Sequence, residues 1–126
     1  MLDLASHASQ PNPSLVLTHA VVRATRHLDV TAKVLANVLG LSEASVSRMK
    51  RGDFALEADS KPFELAVLFV RLFRSLDAIV GGDMRVAKAW LMSRNTALDA
   101  CPLDKVQTIA GLIDVIAYLD ARRALL

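Results

Sequence analysis

The stretch TAKVLANVLGLSEASVSRMKRG, residues 31–52, decides the fold because it joins two apolar helical stripes through a glycine turn. The first stripe has the three- and four-residue spacing of a buried helix face, and the second returns to the same core. Gly40 interrupts the first stripe, and the Ser42 hydroxyl can cap the next helix. Seven positions agree with a helix-turn-helix: Leu35, Ala36, Leu39, Gly40, Leu41, Val46 and Met49. An ordinary helical hairpin is the alternative.

The composition indicates a surplus of apolar surface and only a small excess of positive charge. A chain of 126 residues can bury one core. Its hydrophobic fraction of 53% and mean hydropathy of +0.36 are high for a small protein, so we expect another chain to cover some apolar surface. The net charge is only +2, from 15 basic and 13 acidic residues. Any affinity for DNA must therefore come from a local patch.

No catalytic, metal or cofactor site is predicted. Cys101 is the single cysteine, and it has no neighbouring histidine along the chain. His7, His19 and His27 lack a ligand-like spacing with carboxylates or with the thiol. One cysteine fits a reducing cytoplasm, and the first residues lack the features of a signal peptide, so we expect a cytoplasmic protein without a membrane span.

The chain divides into three predicted regions. Residues 1–13 form a loose arm, since Pro11 and Pro13 discourage a helix there. Residues 14–60 form the helix-turn-helix region, in which a first helix after Ser14 braces the motif and Asp29 or Thr31 caps the next helix. Residues 61–126 form a central helix and a C-terminal helical part.

A helix of about 18 residues opens at Pro62 and ends at the pair Gly81 and Gly82. Apolar residues fall on every face of it, Val67 included, so this helix must be packed on two sides. Its four charged residues are too many for a membrane span.

The remaining segments are also predicted to be helical. Asp83 caps a helix whose stripe comprises Val86, Ala87, Trp90 and Leu91. Residues 93–102 form an irregular turn with Leu98 inward. Asp104 starts a last helix that carries Val106, Ile109, Ala110, Ile113, Ala117 and Leu119. Apolar positions never alternate as in a strand, so the fold class is all-α.

The second helix of the motif, residues 43–51, is the predicted recognition helix. Hydroxyls suit phosphates, and guanidinium groups can bind the two acceptors of a guanine. Arg48 is the predicted base contact, and Lys50 and Arg51 are predicted to contact phosphates. The full predicted DNA-binding set is Ser42, Glu43, Ser45, Ser47, Arg48, Lys50 and Arg51.

The local charge of this region is modest. Residues 31–53 carry four basic residues against two acidic ones, a net charge of +2. A monomer should therefore bind DNA weakly, and a dimer or larger assembly is needed to add phosphate contacts. The alternative is a vestigial motif with a solvated face.

Two features of the C-terminal half are candidates for partner contacts. Trp90 fits a core anchor better than an exposed contact. The end of the chain, YLDARRALL, can fray, pack on its own domain or dock into the cleft of a partner. The docking hypothesis assigns these residues to the contact: Tyr118, Arg122, Arg123, Leu125 and Leu126.

The second half resembles the toxin-binding domain of the Xre/MbcA/ParS antitoxins, and the helix-turn-helix agrees with the Xre half of that family. The resemblance rests on Gly82, Asp83, Ala87, Trp90, Leu91, Asn95, Ala97, Leu98, Pro102, Leu103, Gly111, Val115, Tyr118 and Leu119. It implies an Xre-like helix-turn-helix half that a long central helix joins to a small helical toxin-binding half. The chain departs from the family at its end, where residues 121–126 replace a polar tail.

The resemblance also implies a function. It indicates a type II antitoxin, not an enzyme, encoded beside a RES-domain toxin that consumes NAD. Such an antitoxin covers the active-site entrance of the toxin with its C-terminal region, and the complex represses its own operon. Partners are then the toxin, operator DNA and a second copy in a homodimer or larger assembly. The alternatives are a stand-alone Xre-like regulator whose C-terminal half only dimerises, and a scaffold with an inactive helix-turn-helix.

Overall fold

The computed structural model describes residues 12–126, and the fold of this part is all-α, as predicted. It contains seven helices: α1 Pro13–Leu28, α2 Ala32–Leu39, α3 Glu43–Lys50, α4 Lys61–Val80, α5 Met84–Met92, α6 Pro102–Lys105 and α7 Ile109–Arg123. Within these residues the sole β-type pairing is an isolated bridge between Asn95 and Ala100. Most of the predicted arm, residues 1–11, lies outside the described residues.

Side-chain caps begin most of the helices. The predicted caps Thr31, Ser42 and Asp83 are confirmed, because each accepts a backbone N–H of the first turn. The prediction for Asp29 was wrong, since this residue has φ 56° and ends α1. The start of α1 was placed slightly late. Asn12 caps the helix and Pro13 is its first residue, a position where proline loses no helical hydrogen bond.

The helix-turn-helix has the predicted core. Leu35, Leu39 and Val46 are fully buried. Gly40 has φ +70° at the turn and its N–H donates to the carbonyl of Ala36, a conformation that other residues rarely adopt. The turn therefore holds α3 against α2.

The central helix α4 is packed on two sides, as expected. It contacts α1 and α2 of the N-terminal half and α5 and α7 of the C-terminal half. Its cap is Ser60 and its length is 20 residues, slightly more than predicted. One detail of the prediction was wrong: Val67 remains 46% exposed, because no described helix covers that face.

The last predicted helix is in fact two helices. A short α6 begins at Pro102, and α7 begins only after Thr108, whose hydroxyl accepts the N–H of Gly111 at 3.1 Å. A Cβ atom at Gly111 would overlap the carbonyl oxygen of Lys105, so the two helices meet at a distance that only glycine permits.

This break rotates the apolar residues of the C-terminal half relative to the prediction. Leu112, Val115 and Ile116 are buried on α7, whereas Ile109 and Ile113 are about half exposed. Val86 is also exposed on α5. Among residues 12–126, no helix combines the length and apolar character needed to cross a membrane.

Candidate functional site

The recognition helix α3 is anchored by two buried side chains. Val46 is 0% and Met49 is 2% exposed, and this anchoring sets the rotation of the helix about its axis. Ala44, Arg48 and Arg51 consequently lie on the exposed arc, with Ser47 half-buried at its edge. This arc is the surface that α3 can present to a duplex.

Arg48 is held on one flank of the exposed arc. Its Nη2 donates to Ser45 Oγ at 3.1 Å, and Ser45 Oγ lies 3.0 Å from Ser42 Oγ. The guanidinium also lies 5.7 Å from the ring centre of Phe54, within the range of a cation–π interaction. These contacts bring three of the predicted DNA-binding residues together and leave several Arg48 donors available.

Lys50 and Arg51 are placed differently from each other. Lys50 is half-buried and its Nζ donates to the carbonyl of Val30 at 3.4 Å, so its ammonium lies against the body of the protein. Arg51 Nε is 3.6 Å from Asp53 Oδ2, and both side chains are more than 60% exposed. An exposed pair of this kind is weak, so Arg51 can exchange Asp53 for a phosphate.

The predicted partner-binding residues of the C-terminal half lie in three places. Tyr118 stacks on Trp90, with ring centres 6.1 Å apart and planes inclined by 15°. Arg122 lies 5.9 Å from the centre of the Tyr118 ring. Trp90, Tyr118 and Arg122 thus form a ladder, named here the Trp90 ladder, in which both aromatic rings are half-buried and Arg122 is exposed.

Arg123 lies on the other side of α7. Its Nη1 donates to Ser75 Oγ at 3.4 Å. Ser75 in turn donates to Asp120 Oδ1 at 2.7 Å, and Arg71 pairs with the same carboxylate. This group joins α4 to α7.

The pKa of Asp120 is lowered from its ordinary value. The hydrogen bond from Ser75 is the main cause, and the hydrogen bond and charge of Arg71 and the charge of Arg123 act in the same direction. Partial burial opposes these effects. The carboxylate is therefore held in its charged form as part of the α4–α7 junction.

The two terminal leucines are the most exposed large apolar side chains of the described residues. Leu125 is 83% and Leu126 is 77% exposed, and α7 ends at Arg123. They lie beyond the end of α7 and belong neither to the Trp90 ladder nor to the group that joins α4 to α7. Their positions leave both available to a partner.

The sequence did not predict the contact of Phe54 with Arg48 or the stacking of Trp90 on Tyr118. Phe54 follows α3, and the Arg48 guanidinium lies over its ring. The sequence signal for this contact was an aromatic residue a few positions after Arg48. Trp90 packs against the hydrophobic core, in agreement with the predicted core anchor, but it is only half-buried and also stacks on Tyr118. The helical neighbours of Trp90 along the sequence give no information about contacts between α5 and α7.

Cys101 occupies a structural position. Its Sγ donates to the carbonyl of Leu91 at 3.0 Å, which ties the start of α6 to the end of α5. In the part of the chain that the structure describes, no group of three or more histidine, cysteine or acidic residues could hold a metal ion.

Two family models match the chain, one for each half. Residues 7–71 match the antitoxin Xre-like helix-turn-helix domain, and residues 75–124 match the antitoxin Xre/MbcA/ParS C-terminal toxin-binding domain. A search of curated proteins found no significant match.

A solved structure has a similar fold. It is a chain of the crystal structure of the M. tuberculosis MbcT-MbcA toxin-antitoxin complex, with a TM-score of 0.66 and 21% sequence identity. The alignment covers 88% of the present chain and 96% of the other.

Proposed function

Since the chain belongs to the Xre/MbcA/ParS family of antitoxins, we propose that it neutralises a RES-domain toxin that consumes NAD and represses its own operon. The observation that carries the proposal is the succession of the two matched domains on one chain. Both are binding domains, in agreement with the prediction that the chain is not an enzyme.

The toxin contact is proposed to combine the Trp90 ladder with the chain end. Tryptophan, tyrosine and arginine are the residue types that contribute most to protein interfaces, and here they lie side by side on α5 and α7. Leu125 and Leu126 extend from the same helix and supply apolar area for a cleft in the toxin. Arg123 belongs to the α4–α7 junction, so we assign it a smaller share of the toxin contact.

The DNA contact is proposed to be the exposed arc of α3. Arg48 is proposed as the base contact, and the hydroxyls of Ser42, Ser45 and Ser47 are proposed to contact phosphates; Ser42 and Ser45 lie in one hydrogen-bonded group with Arg48. Glu43 lies exposed in the first turn of α3, and a carboxylate there can accept a hydrogen bond from the amino group of a cytosine. The modest charge of this region requires a homodimer or a larger assembly with the toxin for useful affinity.

The proposal is tested by assaying NAD consumption by the protein encoded beside this one, with and without an equimolar amount of the full chain. We expect NAD loss that stops when the chain is added. The chain truncated after Ala121 should fold but protect poorly, whereas Arg85→Ala, in the first turn of α5, should protect fully. NAD consumption that the full chain leaves untouched would favour a stand-alone regulator.

A second assay separates the arginines on the two sides of α7. Arg122→Ala removes the outer member of the Trp90 ladder, and Arg123→Ala is the matched change at the α4–α7 junction. We expect the first variant to weaken toxin binding more than the second. Equal effects would show that the ladder is not the centre of the contact.

The DNA function is tested by titrating operator DNA at fixed salt with the full chain, alone and bound to its toxin. Arg48→Ala should weaken binding by about 1–3 kcal/mol and relax the sequence preference, as expected for the loss of a bidentate base contact. Arg85→Ala is the control for loss of one positive charge. Unchanged affinity and preference in Arg48→Ala would remove this residue from base recognition.

A further inference from the structure

A basic cleft lies between the second half of α1 and the end of α3. Its volume is about 490 Å³. It is lined by His19, Val22, Arg23, Arg26, His27, Met49, Lys50, Arg51 and Gly52. Four of these residues are cations and none is an acid, although Asp53 pairs with Arg51 at the rim.

The cations of this basic cleft are only partly satisfied by the protein. Arg26 Nη2 donates to the carbonyl of Lys50 at 3.4 Å, which joins α1 to the last turn of α3. Each guanidinium has five N–H donors, so this contact leaves most of the Arg26 donors available. Arg23 is exposed on the same helix, three residues earlier, and lines the same cleft.

The basic cleft is continuous with the exposed arc of α3. Arg51 belongs to both surfaces, whereas Arg48 contacts Phe54 and does not line the basic cleft. A helix in the major groove has a phosphate backbone on each side of it, because the groove is only about 12 Å wide. Because the basic cleft adjoins α3 through Arg51, we expect one of these backbones to pass it.

We propose that the basic cleft binds a phosphodiester of the DNA backbone, with Arg23 and Arg26 of α1 as its main contacts and Arg51 as the link to α3. This inference rests on the proposed DNA function. The arginines position α3 in the groove and carry no sequence information of their own.

Helix α1 adds positive charge to that of the helix-turn-helix segment. Residues 31–53 carry a net charge of +2. Residues 13–53 carry six basic against three acidic residues, a net charge of +3, and α1 itself contains no acidic residue. The first helix thus adds to the DNA-binding surface in addition to bracing the motif.

The test compares the Arg23→Gln variant with the wild-type chain. Each is titrated with operator and with an unrelated duplex at several salt concentrations. We expect Arg23→Gln to weaken binding to both duplexes by the same factor and to reduce the slope of log K against log salt by about 1. Arg23 is the cleaner site because Arg26 also joins α1 to α3. Arg26→Lys is the second variant, and it keeps the positive charge. We expect its affinity for DNA to fall while its salt slope stays close to that of the wild type.

Each result has one meaning. Arg85→Gln is the charge-matched control, and a salt slope that falls equally in Arg85→Gln would overturn the inference by showing a general charge effect. If Arg23→Gln binds DNA with the wild-type salt slope and affinity, the inference about the basic cleft is overturned but the proposed DNA function is not. If the wild-type chain binds no operator, with or without its toxin, the proposed DNA function is overturned as well.

A titration with inorganic phosphate tests whether the basic cleft binds a free anion. Phosphate binding that Arg23→Gln abolishes, together with an unchanged DNA slope, would assign the basic cleft to a free anion and overturn its role on DNA.

Discussion

The recognition helix and the C-terminal end of the chain present their contact residues in opposite ways. In α3, Val46 and Met49 are buried, and Arg48 is held by Ser45 and Phe54. At the other end, Leu125 and Leu126 extend beyond α7 and are mostly exposed. Damage to the core should therefore disable the first surface, whereas the second surface can be removed without disturbing the fold.

The largest effect is expected from Val46→Asp. Val46 is 0% exposed, so the substitution buries an unpaired carboxylate and should lower the free energy of unfolding by roughly 3–5 kcal/mol. Chemical denaturation measures this change. The position of Arg48, and hence DNA binding, should be lost with the fold of the motif.

Ala44→Asp is the matched control for Val46→Asp. It places the same charge on the exposed arc of the same helix, so stability should change by less than about 0.5 kcal/mol while DNA affinity still falls. Similar losses of stability in the two variants would show that α3 is not anchored by the buried face described here.

The second effect in size concerns the junction of α6 and α7. In an ordinary helix, replacing glycine by alanine stabilises, but the new Cβ of Gly111→Ala would meet the Lys105 carbonyl and approach Thr108 Oγ1 to 2.9 Å. We expect a loss of about 2–3 kcal/mol, measured by thermal or chemical unfolding. Ala117→Gly, on the exposed face of α7, should cost only about 1 kcal/mol. A Gly111→Ala protein as stable as the wild type would exclude the close approach.

The third prediction concerns the α4–α7 junction. Asp120→Asn should cost about 1 kcal/mol at pH 7, because the amide accepts from Ser75 but loses the charge that pairs with Arg71. Asp114→Asn is the matched control, since its carboxylate pairs with Lys105 while 61% exposed, and it should cost less.

The Asp120 contribution should also depend on pH. Since the folded pKa is lowered, the charged form stabilises the fold above the unfolded value of about 3.9, and this stability is lost as pH falls through the folded pKa. Unfolding curves of wild type and Asp120→Asn should converge as the pH is lowered from 7 toward 2. A difference that stays constant over this range would contradict the assignment.

The smallest effect on stability is expected at the chain end. Changing Leu125 and Leu126 together to serine should alter the free energy of unfolding by less than about 0.5 kcal/mol, because both side chains are already in solvent. The same variant should neutralise the toxin poorly. Full protection, measured as NAD remaining in the coupled assay, would place the contact on the helices alone.

Local signals in the sequence were sufficient for most of the helices. Thr31, Ser42 and Asp83 cap helices as predicted, and Gly40 makes the turn of the motif. These features depend on neighbouring residues and on the backbone conformation that each residue allows. The break before α7 was missed because Val106 keeps the apolar spacing of a continuous helix and is itself buried, so periodicity alone does not reveal the break.

The sequence by itself determined an all-α chain with a helix-turn-helix, because caps, turns and apolar spacing act over a few residues. Only the tertiary structure decided which functional side chains meet. Arg122 joins Trp90 and Tyr118, while its neighbour Arg123 turns to Ser75, and Arg23 reaches the basic cleft beside α3. These contacts join residues from different helices, and their geometry follows from how α1, α3, α4, α5 and α7 pack in one core.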